Sequence, residues 1–168
     1  LGLCGLVGSG RSELLNAIFG LGEKRAGKVF IKGNEVQIRN PRDAIKYGIG
    51  LLTEDRKKNG YVGCLDIKEN ISLTILKQIS RHHLIDKHRQ KTIVDRFFQK
   101  MKIKAPSAET NILALSGGNQ QKVIVAKWLA ANPEILFMDE PTRGIDVGTK
   151  REIYGLVKEL AQQGMSIV

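Results

Sequence analysis

The chain has 168 residues, with 27 Lys+Arg against 17 Asp+Glu, a formal net charge of +10 and 42% hydrophobic residues; this suits one domain with a buried core and excludes wholesale disorder. No run approaches the roughly 18 apolar residues of a membrane span, and the first residues lack a charged-then-apolar signal pattern. Cys4 and Cys64 stand in no metal or redox spacing, which excludes a disulfide scaffold and reads as two reduced thiols in a cytosolic protein.

The positive charge favours anionic partners such as nucleotides, nucleic acid or an anionic membrane surface, without choosing among them. One Trp, three Tyr and five Phe leave few platforms for stacking the bases of a single strand. The 18 glycines exceed a usual share of roughly 7%, and several cluster in two places.

In chain order, Leu1–Val7 is an apolar run that predicts a buried strand, and Ser12 to Phe19 turns helical through Leu14, Leu15 and Ile18 until Gly20 stops it. Residues 28–39 alternate apolar and polar, as KVFIK then EVQIR, predicting a hairpin with its turn around Gly33-Asn34. Asn40-Pro41 opens a short helix up to Gly48, and Ile49 to Leu52 reads as another buried strand. The middle of the chain is basic and mainly helical. Asp66 followed by Glu69 forms a capping box before a helix carrying Ile71, Leu73, Ile75 and Leu76. A second helix starts near Asp86 with Val94, Phe97, Phe98 and Met101 on one face, spaced as core. Ile135 to Met138 is a short apolar strand, Ile153, Leu156, Val157 and Leu160 mark an amphipathic helix ending at Gly164, and Met165 to Val168 begins one more strand.

Three strings carry chemistry. GLVGSGRS, Gly5 to Ser12, fits the phosphate-loop pattern G-x-x-x-x-G-K-[ST] with Arg11 in place of Lys. Its glycines let backbone N–H groups converge on phosphate oxygens, the following helix start adds its dipole, and Ser12 supplies a hydroxyl for Mg²⁺; the plain alternative is a glycine-rich turn. MDE, Met138 to Glu140, places an acidic pair at a strand's carboxyl end, with Asp139 suited to a metal and Glu140 to orienting and deprotonating water; alone, such a pair also fits a solvated turn. LSGGNQQK, Leu115 to Lys122, opens a helix at which Ser116 caps and Gly117 and Gly118 expose amides, an anion site or simply a well-capped helix.

The order GLVGSGRS, LSGGNQQK, ILFMDEPT, GIDVG resembles the ATP-binding domains of ABC transporters. With the segment LLTEDRKKNG it resembles, more narrowly, the ATPase subunit of monosaccharide importers of the ribose, galactose and xylose type, and within that subunit the second, C-terminal of two tandem domains. The resemblance spans Leu1 to Val168 and implies an α/β fold: a P-loop NTPase (RecA-like) core, residues 1–54 and 132–168, with an inserted α-helical subdomain at 55–131, truncated at both ends. A residue that stacks on adenine is expected before Leu1 and a γ-phosphate switch after Val168, so the chain is expected to be a fragment.

The implied cofactors are ATP and Mg²⁺. By resemblance, Gly5, Gly8, Ser9, Gly10, Arg11, Ser12 and Glu13 surround the phosphates; Ser12, Asp139 and Glu54 serve the metal; Glu140 is the general base. Ser116, Gly117, Gly118 and Gln120 are offered to the nucleotide of a partner ATP-binding domain, and Asp146 ties to that partner. The implied partners are that second domain, a membrane permease whose coupling helix the insertion receives, and, indirectly, a periplasmic-type sugar-binding protein; no nucleic acid is expected. The implied location is the cytoplasmic face of the membrane, as a peripheral subunit. Departures gather on one nucleotide: Arg11 for Lys, Glu13 for a hydroxyl residue, Glu54 for Gln. They predict a weakened own site beside an intact contribution to the partner's. A non-hydrolytic regulatory half is the alternative, and an ABC-type ATPase acting on nucleic acid a third. His82, His83 and His88 have no acidic or Cys partner at a ligand spacing and read as surface residues, and Trp128 reads as core.

Overall fold

The structure, a computed structural model, describes residues 1–6, 8–23, 26–82 and 84–168. At its centre three strands run parallel in the order β3 (Ile49–Leu52), β6 (Ile135–Met138), β7 (Ser166–Ile167). The runs IGLL and ILFM occupy the strands predicted for them, paired from Ile49 with Ile135 to Leu52 with Met138. Continuous apolar composition suits parallel strands covered on both faces, and every residue of β3 is buried.

Helix α1 (Arg11–Phe19) covers this sheet with Leu15 and Phe19 and ends on Gly20 in the left-handed conformation, φ 82°. A Cβ on Gly20 would lie 2.7 to 2.8 Å from the Asn40 backbone, so only glycine lets α1 finish against Asn40. Asn40 in turn accepts from the amides of Arg42 and Asp43, capping α2 (Pro41–Lys46). Strands β1 (Val29–Ile31) and β2 (Asn34–Val36) form the expected hairpin, but its two-residue turn is Lys32-Gly33, one position earlier than predicted. Both turn residues have positive φ, 51° and 80°. That is the pattern of a type I′ turn, which favours glycine second, as here, rather than first.

The segment between β3 and β6 is helical. A single π-helical turn (Arg56–Gly60) leads to α3 (Ile67–Ser72), a 3₁₀ turn (Leu73–Ile75) and α4 (Leu76–Ile79). The minimal hairpin of β4 (Ser80–Arg81) and β5 (Leu84–Ile85) precedes α5 (Lys87–Lys100), a 3₁₀ turn (Ile112–Ala114) and α6 (Gly117–Ala130). The capping box forms as predicted: the Asp66 carboxylate accepts from the Glu69 amide at 2.7 Å and Glu69 accepts from the Asp66 amide at 3.0 Å. The single helix predicted beyond it is broken at Leu73–Ile75, where the Thr74 hydroxyl donates to the Lys127 carbonyl at 2.6 Å and ties the segment to α6. Ile67, Ile71, Ile75 and Ile112 are fully buried around α6, each contributing roughly 1.5–3 kcal/mol of burial.

Helix α6 is buried at every residue from Gln120 to Leu129. Trp128 is core, its ring edge-on to Phe19 with centroids 5.5 Å apart. The polar residues of α6 are satisfied internally: Lys127 Nζ donates to the Gly60 carbonyl and Lys122 pairs with Glu152 of α7 (Val147–Gln162). Phe97 and Met101 are buried and Phe98 packs against the core, as their spacing predicts.

The strand predicted at Leu1–Val7 does not form over Leu1–Leu6, and Val7 lies outside the described residues. Leu1 is 87% exposed, and its backbone nitrogen lies 2.9 Å from the Ile167 carbonyl oxygen. The segment reaches the edge of β7, but no layer covers Leu1 or Leu6, and without burial on both faces an apolar run gains little from a ladder. His82 turns the β4–β5 hairpin with φ 49°, whereas His83 lies outside the described residues. Among the described residues no helix is long and apolar enough to cross a membrane.

Candidate functional site

A cleft of about 540 Å³ opens beyond the carboxyl ends of β3 and β6, where an open parallel sheet gathers ligand-binding loops. Gly8, Ser9, Gly10, Arg11, Ser12 and Glu13 form one wall; Glu54, Asp139, Glu140 and Arg143 form the other. Most of the residues singled out in the first and second strings therefore meet around one cavity, although 85 residues separate Glu54 from Asp139 and more than 120 separate Ser12 from Asp139.

The glycine loop positions its wall by backbone geometry. Gly8 and Gly10 have φ of 82° and 87°, and α1 begins at Arg11 without any side-chain cap. Among the described residues no N-cap side chain engages its first amides, and the positive end of the helix dipole lies at the cleft wall, a cradle for an anion. Gly5 is not part of the cleft lining; it lies beneath the loop, where a Cβ would come 2.6 Å from Ser9 Oγ.

The acidic wall is set by the strands. Asp139 follows β6 directly, its amide donating to the Leu52 carbonyl at 2.9 Å, and it is only 9% exposed. Glu140 stands in the left-handed region at φ 46°, which turns its side chain back over the cleft, where Arg11 Nη1 lies 3.4 Å from its Oε1. Glu54, just past β3, pairs with Arg143. Ser12, Glu54 and Asp139 line one cavity and supply only oxygen donors, which fits Mg²⁺. Bound there, Mg²⁺ would neutralise phosphate charge.

Arg143 was not among the residues that the sequence alone assigned to this site. Arg143 follows Glu140 by three residues on a tight turn, its amide donating to the Glu140 carbonyl at 3.0 Å, and this return brings the guanidinium into the cleft. The Pro-Thr-Arg-Gly string after the acidic pair was the available turn signal. Arg56, in the π-helical turn, donates to the carbonyls of Arg143 at 2.9 Å and Gly144 at 3.3 Å and clamps that same turn.

The third string lies apart from the cleft. Ser116 caps α6, accepting from the Asn119 amide, and is exposed beside half-buried Gly117. Gly118 and Gln120 do not share that exposure. A Cβ on Gly118 would meet Thr149 Oγ1 at 2.6 Å, and Gln120 is turned inward, donating to the Ile112 carbonyl at 3.3 Å. The expectation that Gln120 faces a partner's nucleotide therefore fails: the helical period puts it on the core side of α6. Asp146 caps α7, accepting from the Thr149 amide at 2.9 Å and hydroxyl at 2.7 Å, and those two bonds hold its carboxyl below the usual range.

Known proteins share this architecture. Residues 1–143 match the ABC transporter family. The chain is 46% identical over its whole length to the ribose import ATP-binding protein RbsA of Geobacillus kaustophilus, 48% to that of Lactococcus lactis subsp. cremoris and 48% to the xylose import ATP-binding protein XylG of G. kaustophilus. It spans 34% of the length of each of these relatives, and the matches do not support its placement as the second, C-terminal domain. Among solved structures it resembles the dimeric, post-hydrolysis ATP-binding cassette MJ0796 bound to ADP and Pi, with a TM-score of 0.80, 25% identity, and coverage of 97% of this chain and 70% of that one. A second dimeric structure of MJ0796, a bacterial ABC transporter cassette, gives a TM-score of 0.77 at 28% identity, over 96% of this chain and 69% of that one. With a parallel sheet, a glycine loop opening α1, an acidic strand end and a helical segment between β3 and β6, the chain belongs to the ABC transporter family and has its P-loop NTPase fold.

Proposed function

We propose that this chain is an ATP-binding domain of a monosaccharide importer, acting as a peripheral subunit at the cytoplasmic face of the membrane. Its own cleft binds Mg·ATP: amides from Gly8 to Ser12 hold the phosphates, Ser12, Glu54 and Asp139 serve Mg²⁺, and Glu140 takes the proton of the attacking water. The observation that carries this reading is the convergence of the glycine loop, Asp139 and Glu140 on one cavity at the carboxyl end of the sheet. Ser116, exposed, and the half-buried Gly117 beside it are the part of the LSGGNQQK string offered to the nucleotide of a partner domain.

The segment 55–131 is the subdomain that a permease engages, and the core comprises 1–54 and 132–168. A groove of about 460 Å³, lined by Phe19, Leu21, Thr53, Lys58, Asn59 and Trp128 among others, runs between the two and suits a short helix from a membrane subunit. The sugar-binding protein acts further away, through the permease.

The ion pair between Arg11 and Glu140 favours a second reading, a non-hydrolytic regulatory half, since it ties the carboxylate to the glycine-loop wall instead of leaving it free to reach an attacking water. Mg·ATP binding and phosphate release by the full-length protein, with Arg11→Lys and Glu140→Gln, separate the two. Turnover lost in Glu140→Gln supports a working motor. Wild-type binding without Glu140-dependent turnover supports the regulatory half, and no binding at all rejects both.

A further inference from the structure

The cleft holds two cations, Arg11 and Arg143, among four carboxylates, Glu13, Glu54, Asp139 and Glu140. Each cation is engaged across the cleft: Arg11 with Glu140 and Arg143 with Glu54. The two pairs join opposite structural units. Arg11 heads α1 and reaches the end of β6, while Arg143 leaves the turn after β6 and reaches the end of β3. Among the described residues that line this space, both cations are already engaged by a carboxylate when a polyphosphate enters.

Arg143 is nevertheless well placed for an anion. Its backbone is fixed on both sides, by its amide on the Glu140 carbonyl and by Arg56 on its own carbonyl, while its side chain is 64% exposed toward the opening. A guanidinium on an anchored backbone presents a planar fork that suits phosphate oxygens as well as a carboxylate. A second, adjoining cavity of about 450 Å³, lined by Glu54, Asp55, Arg56, Lys57, Arg143 and Gly144, leaves room for that side chain to swing.

We infer that Arg143 is a second phosphate-binding residue of this cleft, held by Glu54 until a nucleoside polyphosphate displaces the carboxylate. The exchange is ionic throughout. The Arg143–Glu54 pair separates, the guanidinium passes to phosphate oxygens, and the Glu54 carboxylate is released into the cleft. Arg143 thereby supplies binding charge beside Arg11, which stands where a compact lysine ammonium is usual. This rests on the nucleotide reading above.

The test is a double-mutant cycle on ATP binding by the full-length protein in EDTA, which removes any role of Glu54 toward a cation, with binding followed by calorimetry. Arg143→Gln should weaken binding by roughly tenfold, the loss of charge-assisted hydrogen bonds, with Arg143→Lys in between. Glu54→Gln should strengthen binding by a similar factor, and most of that gain should vanish when Arg143 is also Gln. Two ways of failing are distinct. If the wild type binds ATP while the Glu54 and Arg143 effects are additive or absent, this inference falls and the nucleotide reading stands. If the wild type binds no ATP, the nucleotide reading falls and takes this inference with it.

Discussion

Lys127 offers a sharp test of the packing around α6. Its ammonium is buried between α6 and the π-helical turn, 2.5 Å from the Gly60 carbonyl and 5.1 Å from the Trp128 ring, and burial lowers its pKa from 10.5 to about 8. At about 1.4 kcal/mol per pKa unit, holding the charge at pH 7 costs the folded state about 3 kcal/mol. Lys127→Met removes that cost but leaves the Gly60 carbonyl without its donor, a loss of about 2 kcal/mol. The variant should therefore be more stable than the wild type at pH 7, by about 1 kcal/mol. Between pH 8 and 10.5 the unfolded chain binds more protons at this lysine than the folded one, so wild-type stability gains with rising pH. By pH 10 the wild-type penalty has fallen below about 1 kcal/mol and the order reverses. Urea unfolding of both proteins at pH 7, 8, 9 and 10, followed through Trp128 emission, measures the difference while other titrating groups cancel. A gap of constant size across that range would show that the ammonium is not held at a cost, and the burial argument would fail.

Gly20→Ala combines left-handed backbone with a clash against Asn40; melting should drop by the equivalent of at least about 1–2 kcal/mol, and α2 should lose amide protection before α6 does. Asp66→Ala dismantles the capping box of α3 and should cost about 1 kcal/mol in chemical denaturation, whereas Asp66→Asn should recover most of it. Leu136→Ala, at a fully buried position of β6, should cost about 2–5 kcal/mol in the same assay. In the hydrolysis reading, Glu140→Gln should lower phosphate release by roughly 10²-fold or more with Mg·ATP affinity retained, as seen in single-turnover kinetics.

Local signals carried most of the fold. Ile49–Leu52 and Ile135–Met138 are strands because four apolar residues between polar flanks can be covered on both faces only in a parallel sheet, and both bounds held. Asp66 with Glu69, Asp86 and Ser116 cap helices where side-chain chemistry placed them. The same apolar reasoning misled at Leu1–Leu6, where burial depends on what lies alongside, which composition does not record. In the site, the glycine loop and acidic pair were legible because their order along the chain is itself a pattern. Arg143 was not, because its role comes from a turn that folds it back over Glu140 and from Glu54, far away in sequence. Gln120 was assigned outward for its neighbours in the string, yet one further step around α6 carries it into the core.

The left-handed backbone of Glu140 has a consequence for how this position drifts. Glutamate is poorly suited to φ 46°, and the following Pro141 restricts it further, so the fold bears a local strain of about 1–3 kcal/mol there. Glycine or asparagine would relax it, so the substitutions that would most readily stabilise the domain are also those that remove its carboxylate. A lineage released from the need for this carboxylate would have a downhill path to lose it, and one that keeps it is retaining a residue against the grain of its own stability.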